Sequence, residues 1–207
     1  MARGRPGLSK ADYVSAALEY IDEHGMEPMT MRALGEKMGV DPTAVYRHYP
    51  NKDDLVLAVC DKVLGYIIAE VGESAPSPRE RTVSLALVTR KVLRQHPHVM
   101  NAILNSTGYM ENGFYLSREI AKSLVALGVR TEKVAVAYQM LEGFVMGSCL
   151  MDFTSSPQNF AIRRLRYRGL DMPEFDLVST DEDAVASVAD SAFTVGLDSL
   201  IDTCLSL

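Results

Sequence analysis

Thr43 and Arg47 stand four residues apart in the run 42–49, a spacing that places both on one face of an α-helix. The chemistry open to such a pair is recognition of base edges, with no bond made or broken. A guanidinium can give two hydrogen bonds to guanine O6 and N7, and a threonine can touch a thymine methyl or make one hydrogen bond. Val45 and Tyr49, also four apart, share the opposite face and are expected to pack inward. Tyr46 and His48 flank the reading face and suit phosphate oxygens, as do the Lys52 ammonium and the backbone N–H groups at helix starts near Thr30 and Asn51. Arg3 and Arg5 lie in an arm over residues 1–8 that can reach a narrow minor groove or stay a solvated tail.

These groups need a scaffold, and the flanking pattern supplies one. Ser9 opens a helix with Val14, Ala17, Leu18 and Ile21 at i, i+3, i+4 and i+7, and Gly25 stands at its stop. Thr30 caps a second, short helix with Leu34 and Met38 inward, ending at Gly39 and Val40. Asp41 caps a third, with Pro42 at the favoured first position. Two short helices about a glycine turn have the dimensions of a helix-turn-helix, although an ordinary helical hairpin shares that spacing. Gly35 falls where the two helices must approach closely. Asn51 then caps a fourth helix, acidic in its first turn at Asp53 and Asp54 and apolar through Leu55, Val59, Val63 and Ile67.

Residues 72–78, with two prolines and two serines, read as a linker. Beyond them Ser77, Pro78 and Glu80 start a helix that runs to Pro97. A short helix follows over 99–104, then one over 114–127 closed by Gly128, and Thr131 opens a long apolar helix. Residues 155–179 read as an irregular connection, and Thr180 with Asp183 starts a last helix to the C-terminus. Strand-like alternation is scarce, so the expected fold is all-α. Residues 1–56 form a three-helix DNA-binding domain with the helix-turn-helix, and residues 57–207 form a helical bundle for regulation and dimerisation.

Charge narrows the function further. The 207 residues carry a net charge of −6, and residues 1–56 hold seven Lys or Arg against nine Asp or Glu. Bulk attraction to nucleic acid or membrane is therefore excluded, and any DNA contact must use placed groups. Cys60, Cys149 and Cys204 are too scattered for a disulfide framework or a zinc site, and the N-terminus lacks the apolar core of a signal peptide, which together point to the cytoplasm. Residues 134–151 are almost wholly apolar, but Gln139, Glu142 and Ser148 interrupt them, as in the central helix of a soluble bundle rather than a membrane span. Without a Gly-rich phosphate loop, nucleophile elbow or metal motif, neither an enzyme nor a cofactor is expected.

The run Thr30-Met31-Arg32-Ala33-Leu34-Gly35-Glu36-Lys37-Met38-Gly39-Val40, followed by Thr43-Ala44-Val45-Tyr46-Arg47-His48-Tyr49-Pro50-Asn51-Lys52-Asp53-Asp54-Leu55, resembles the tetracycline-repressor (TetR) family. The resemblance covers about the first 60 residues. It implies a dimeric all-α regulator, commonly a repressor released from its operator by a small molecule. It also implies backbone contacts by Tyr46, His48 and Lys52, and a base or phosphate contact by Arg32. Gly35 stands where alanine is more frequent in the family. The His96-Pro97 break and the sequence Phe193-Thr194-Val195-Gly196-Leu197-Asp198 look like one actinobacterial-type branch of its regulatory domains.

Two features of the C-terminal part bear on partners. Gly143 and Gly147 on the long helix, and Ala189, Ala192 and Gly196 on the last, offer flat faces that serve core packing or dimerisation; the need to read paired half-sites favours the homodimer. The chain has eleven methionines, of which Met100, Met110, Met140, Met146 and Met151 crowd one region; flexible thioethers suit a pocket for varied apolar molecules, although any single one serves equally to fill the core. Within it Met100, Asn101, Asn105, Tyr109, Tyr138, Gln139 and Glu142 are the candidates for contacting a ligand, and Glu142 could face a cation, pair with an arginine or point to solvent. The basic run Arg163, Arg164, Arg166 and Arg168 is better read as a solvated loop paired with Asp171, Glu174 and Asp176 than as an anion site or an extra DNA contact. The expected partners are double-stranded DNA with a palindromic operator, a second copy of the chain and a small-molecule effector. The alternative is a ligand-independent helical DNA-binding or protein-interaction adaptor.

Overall fold

The computed structural model describes residues 8–72, 75–151 and 157–207. Arg3 and Arg5 lie outside the described residues. Among the described residues the secondary structure is helical throughout. The chain divides into two compact units: one runs through Ala69 and takes in His96–Leu116, and the other holds Glu70–Gln95 and Ser117–Leu207.

The first unit opens with α1 (Lys10–His24). Ser9 and Asp12 cap it reciprocally: the Ser9 N–H donates to Asp12 Oδ2 at 2.7 Å, and the Asp12 N–H donates to Ser9 Oγ at 3.3 Å. The bond from the Ser9 backbone holds the Asp12 carboxyl below its ordinary range. The buried face is Val14, Ala17, Leu18 and Ile21, and the helix stops at Gly25, where φ is 87°. α2 (Met31–Met38) starts where Thr30 Oγ1 accepts from the Ala33 N–H, and ends at Gly39 in the left-handed conformation. α3 (Pro42–His48) is capped by Asp41, and α4 (Lys52–Val71) by Asn51, whose Oδ1 accepts from the Asp54 N–H at 2.8 Å. Leu55, Val59, Val63 and Ile67 line the fully buried side of α4.

α6 (Pro97–Asn105) and the first turns of α7 (Glu111–Leu127) complete this unit. α7 begins three residues earlier than its local pattern indicates, because its cap comes from α4. Asp61 Oδ1 accepts from the backbone N–H groups of Asn112, at 2.8 Å, and Gly113, at 3.4 Å. Those N–H groups would otherwise be left without partners at the helix start.

The second unit contains α5 (Pro78–Gln95), α8 (Val134–Leu150), α9 (Pro157–Arg168), α10 (Asp176–Thr180) and α11 (Glu182–Ser206), with the rest of α7. Its core is built from Ala86 on α5, Leu141 and Val145 on α8, and Phe193, Leu197 and Ile201 on α11. Two expectations are corrected here. Residues 155–179 hold α9, a 3₁₀ turn (Pro173–Phe175) and α10 in place of the expected irregular connection. Both prolines stand at the first position of an element, where a missing N–H costs nothing, so they mark starts and not breaks. The last helix is capped by Asp181, which accepts from the Asp183 N–H at 2.9 Å, whereas Thr180 belongs to α10 and bonds back to the Asp176 carbonyl. Among the described residues Asp183–Ser206 is long and apolar enough to cross a membrane by length and composition alone, a test that core helices also pass.

Asp190 on α11 binds two arginines of α5: it accepts from Arg90 Nη1 at 2.8 Å and Arg94 Nη1 at 2.9 Å, and the Arg90 guanidinium sits 4.6 Å over the Phe193 ring. Partial burial pushes the Asp190 carboxyl up, but the two guanidiniums outweigh it and hold the group below its ordinary range. A carboxyl lowered on folding stabilises the fold above about pH 4, and that contribution is lost as pH falls further. Replacing Asp190 by Asn should therefore lower the urea midpoint at pH 7, with the gap to wild type closing below about pH 4. A gap of equal size at pH 7 and pH 3 would contradict this reading.

Candidate nucleic-acid interface and effector residues

The helix-turn-helix owes its geometry to two glycines. Gly39 adopts φ 67°, a left-handed turn that side-chain-bearing residues seldom take. At Gly35 an added Cβ would lie 3.1 Å from the Val40 carbonyl oxygen and 3.3 Å from Pro42 Cα, so the missing side chain lets α2 meet the start of α3 closely. Val45 is fully buried and Tyr49 nearly so, which fixes the rotation of α3. The remaining face turns outward: Thr43, Tyr46 and Arg47 are exposed, Tyr46 by 52%.

Each predicted DNA-facing group has a specific local setting. Thr43 Oγ1 donates to Asp41 Oδ1 at 2.6 Å, so its hydroxyl serves the cap and its methyl is what the helix presents. The Thr43 hydroxyl and N–H bonds hold the Asp41 carboxyl below its ordinary range. His48 is half-buried with its ring 4.8 Å from that of Tyr13. Thr30 is exposed, with its hydroxyl oxygen accepting from the Ala33 N–H. Arg32 Nε donates to Glu36 at 2.9 Å, but the two side chains are 81% and 65% exposed, so solvent competes for the pair. Lys52 is the most constrained. Its ammonium donates to the Met26 carbonyl at 3.0 Å, which ties the start of α4 to the loop after α1.

Lys37 is not among the sequence-derived site residues. From the last turn of α2 it donates to Glu23 at 3.1 Å and stands 3.7 Å from Glu19, both on α1. Its position one turn before the helix stop is a weak signal, since a basic residue there also suits the helix dipole.

The residues singled out for an effector fall into both units. In the first, Met100 is buried, Asn101 and Asn105 are exposed, with the Asn105 amide bonded to the Asn101 carbonyl, and Tyr109 is 72% exposed and stacked on Phe114 at 5.0 Å. In the second, the Tyr138 hydroxyl donates to Glu142 Oε1 at 3.0 Å and lies 3.0 Å from Ser117 Oγ, whereas Gln139 is exposed. Burial pushes the Tyr138 hydroxyl above its ordinary range. Glu142 thus takes a hydroxyl partner from the turn before it. The arginine run lies on α9, where Arg164 Nε donates to the Ser179 carbonyl at 3.2 Å and Arg163 sits 5.5 Å over the Tyr167 ring.

The two small-residue faces differ. An added Cβ at Gly143 or Gly147 would meet nothing within 4 Å, whereas one at Gly196 would lie 2.8 Å from the Phe144 ring. Gly196 therefore belongs to the α8–α11 contact within the chain, and the open face of α11 is carried by Val188, Ala192, Val195 and Ser199, at i, i+4, i+7 and i+11.

Comparison with known proteins adds to this geometry. Residues 14–59 match the family described as bacterial regulatory proteins, tetR family. A curated HTH-type transcriptional regulator of Saccharopolyspora erythraea is 32% identical over 149 residues, covering 71% of this chain and 62% of the relative. The chain spans about three fifths of the length of the first curated relatives it matches. Among solved structures, the Streptomyces coelicolor TetR family protein ActR in complex with actinorhodin superposes with a TM-score of 0.76 at 21% identity, over 97% of this chain and 98% of that one. BioQ with its double-stranded DNA operator superposes with a TM-score of 0.68 at 23% identity, over 97% and 100%. At those identities the superpositions speak for the fold alone.

Proposed function

We propose, because this chain belongs to the tetR family of bacterial regulatory proteins, that it is a cytoplasmic, sequence-specific repressor that binds a palindromic operator as a homodimer and releases it on binding a small molecule. The observation that carries the reading is the exposed face of α3. Val45 and Tyr49 anchor the helix from behind, and Thr43 and Arg47 project together from the side left to solvent. Such a helix places its N-terminal side chains against base edges in the major groove.

The roles divide by chemistry. Arg47 reads guanine, and Thr43 offers its methyl to thymine because Asp41 holds its hydroxyl. Tyr46, His48, Thr30, Arg32 and Lys52 hold the sugar-phosphate backbone, and Arg3 and Arg5 enter the neighbouring minor groove. The division of labour along the chain is residues 1–56 for DNA and residues 57–207 for effector and dimer contacts. BioQ, which shares the fold, was solved on its operator, and ActR with actinorhodin in place. By analogy a small-molecule effector binds here, with Met100, Asn101, Asn105, Tyr109, Tyr138, Gln139 and Glu142 as the residues to test.

Retardation of a DNA fragment from the gene's own upstream region tests the reading. Binding should weaken as salt rises, because each neutralised phosphate releases counterions. Replacing Lys52 by Ala should weaken binding to all sequences alike and shallow the slope of log K against log salt by about 0.9 per lost contact. Without a salt-sensitive shift of that fragment or of genomic fragments at large, the protein-interaction reading would take its place. A Lys52 variant with the wild-type slope would assign that side chain wholly to the Met26 carbonyl.

A further inference from the structure

We propose that the last turn of α1 is the junction tying α6 to the helix-turn-helix, with His96 and Asp22 as positioning residues for DNA binding. The inference rests on the regulator reading above. It starts from a contact that local sequence does not foreshadow: His96 Nδ1 lies 2.8 Å from Asp22 Oδ2. A carboxylate only accepts, so the ring nitrogen carries the proton and donates. Both side chains are largely covered, Asp22 to 29% and His96 to 16% exposure. His96 is also the residue at which the chain re-enters the first unit, immediately before α6.

The second observation is a cost. Asp22 Oδ1 is shut off from water and has no hydrogen-bond partner. A buried carboxylate oxygen left unsatisfied is destabilising, and stability alone would favour an apolar residue there. What the arrangement provides in return is a directional link between α1 and α6, reinforced by the Tyr66 ring 5.9 Å from the imidazole.

The next residue completes the path. Glu23 accepts from Lys37 at 3.1 Å, and Lys37 lies two residues before the Gly39 turn. One helical turn therefore carries Asp22 toward α6 and Glu23 toward α2. A helix turn is stiff, so the position of α6 fixes where α2, and with it the reading helix, is held. Preorganisation of that kind raises operator affinity by lowering the ordering cost on binding.

Four variants of the 207-residue chain test this with the same upstream fragment. His96→Leu and Asp22→Leu should each weaken binding by about five- to tenfold, and the double variant no further than the worse single, since both remove one contact. His96→Asn keeps an N–H near the Nδ1 position and should stay within about twofold of wild type. Hydrogen exchange gives a readout independent of DNA: His96→Leu should speed exchange in the last turn of α1 and in α2, and His96→Asn should not. Additive losses, an Asn variant as harmful as Leu, or faster exchange confined to α6 would each overturn the junction. Should the wild-type protein bind neither that fragment nor genomic fragments at large, the regulator reading fails by itself. The exchange pattern then decides the junction alone, and unchanged exchange in His96→Leu rejects it.

Discussion

Replacing Arg47 by Ala is expected to weaken operator binding by about 1–3 kcal/mol, or about five- to 150-fold, and to relax base preference at one position in each half-site. The exposure of Arg47 beside a fully buried Val45 makes the effect readable, because Arg47 is not part of the packed core and its charge acts within α3 only on the cap residue Asp41. The loss differs in kind from that at a phosphate contact. A guanidinium on guanine makes two hydrogen bonds that the other bases do not accept in that geometry, so its removal reduces discrimination as well as affinity. Selection of bound sequences from a random pool, with wild type and variant in parallel, measures both. If the variant retained full preference at every position, the reading face would have to be reassigned to Thr43 and Tyr46.

The second large effect is expected at a residue of the second unit. Val195 is 66% exposed, and with Val188, Ala192 and Ser199 it forms an apolar and small stripe opposite the buried Phe193, Leu197 and Ile201. On α8 the open glycines Gly143 and Gly147 sit with exposed Val136 and Leu150. Two faces of this kind bury apolar surface when they meet their counterparts in a second copy. Val195→Glu should therefore keep the helix content but turn the proposed dimer into a monomer, since an unpaired carboxylate in the interface is costly. Operator binding should fall by about 10²- to 10⁴-fold as the second half-site becomes a separate binding event. Sedimentation together with DNA retardation gives both readings. A Val195→Glu protein that remained dimeric would place the interface elsewhere.

These expectations show where the sequence is readable. The helix-turn-helix is legible because each signal is local: Thr30, Asp41 and Asn51 cap within three residues of themselves, and Gly39 stops its helix within one turn. The family resemblance adds the expected partners of the exposed face, which periodicity alone cannot name. The stretch 155–179 misleads for a related reason. Pro157 and Pro173 have the same composition signature whether they end an element or begin one, and the packing of α9 against α10, with Tyr167 stacked on Phe175 at 5.5 Å, decides between the two.

The candidate effector residues illustrate the opposite limit. Tyr138 and Glu142 lie one turn apart, so their bond is open to inference, yet nothing local shows that Ser117 joins them. Gly196 looks like one of a set with Ala189 and Ala192, but Phe144 from another helix occupies the space beside it.

By itself the sequence determined the all-α class, the reading helix with Thr43 and Arg47 on one side and Val45 and Tyr49 on the other, and the absence of a bulk positive charge to hold DNA. Caps, turns and amphipathic periods act over a few residues, so they are written where they operate. Only the tertiary structure decided that Asp61 caps α7 from α4 and that Asp22 holds His96. These bonds join residues about 50 or more positions apart in the chain, and a hydrogen bond across that distance depends on how whole helices pack, which no local pattern encodes.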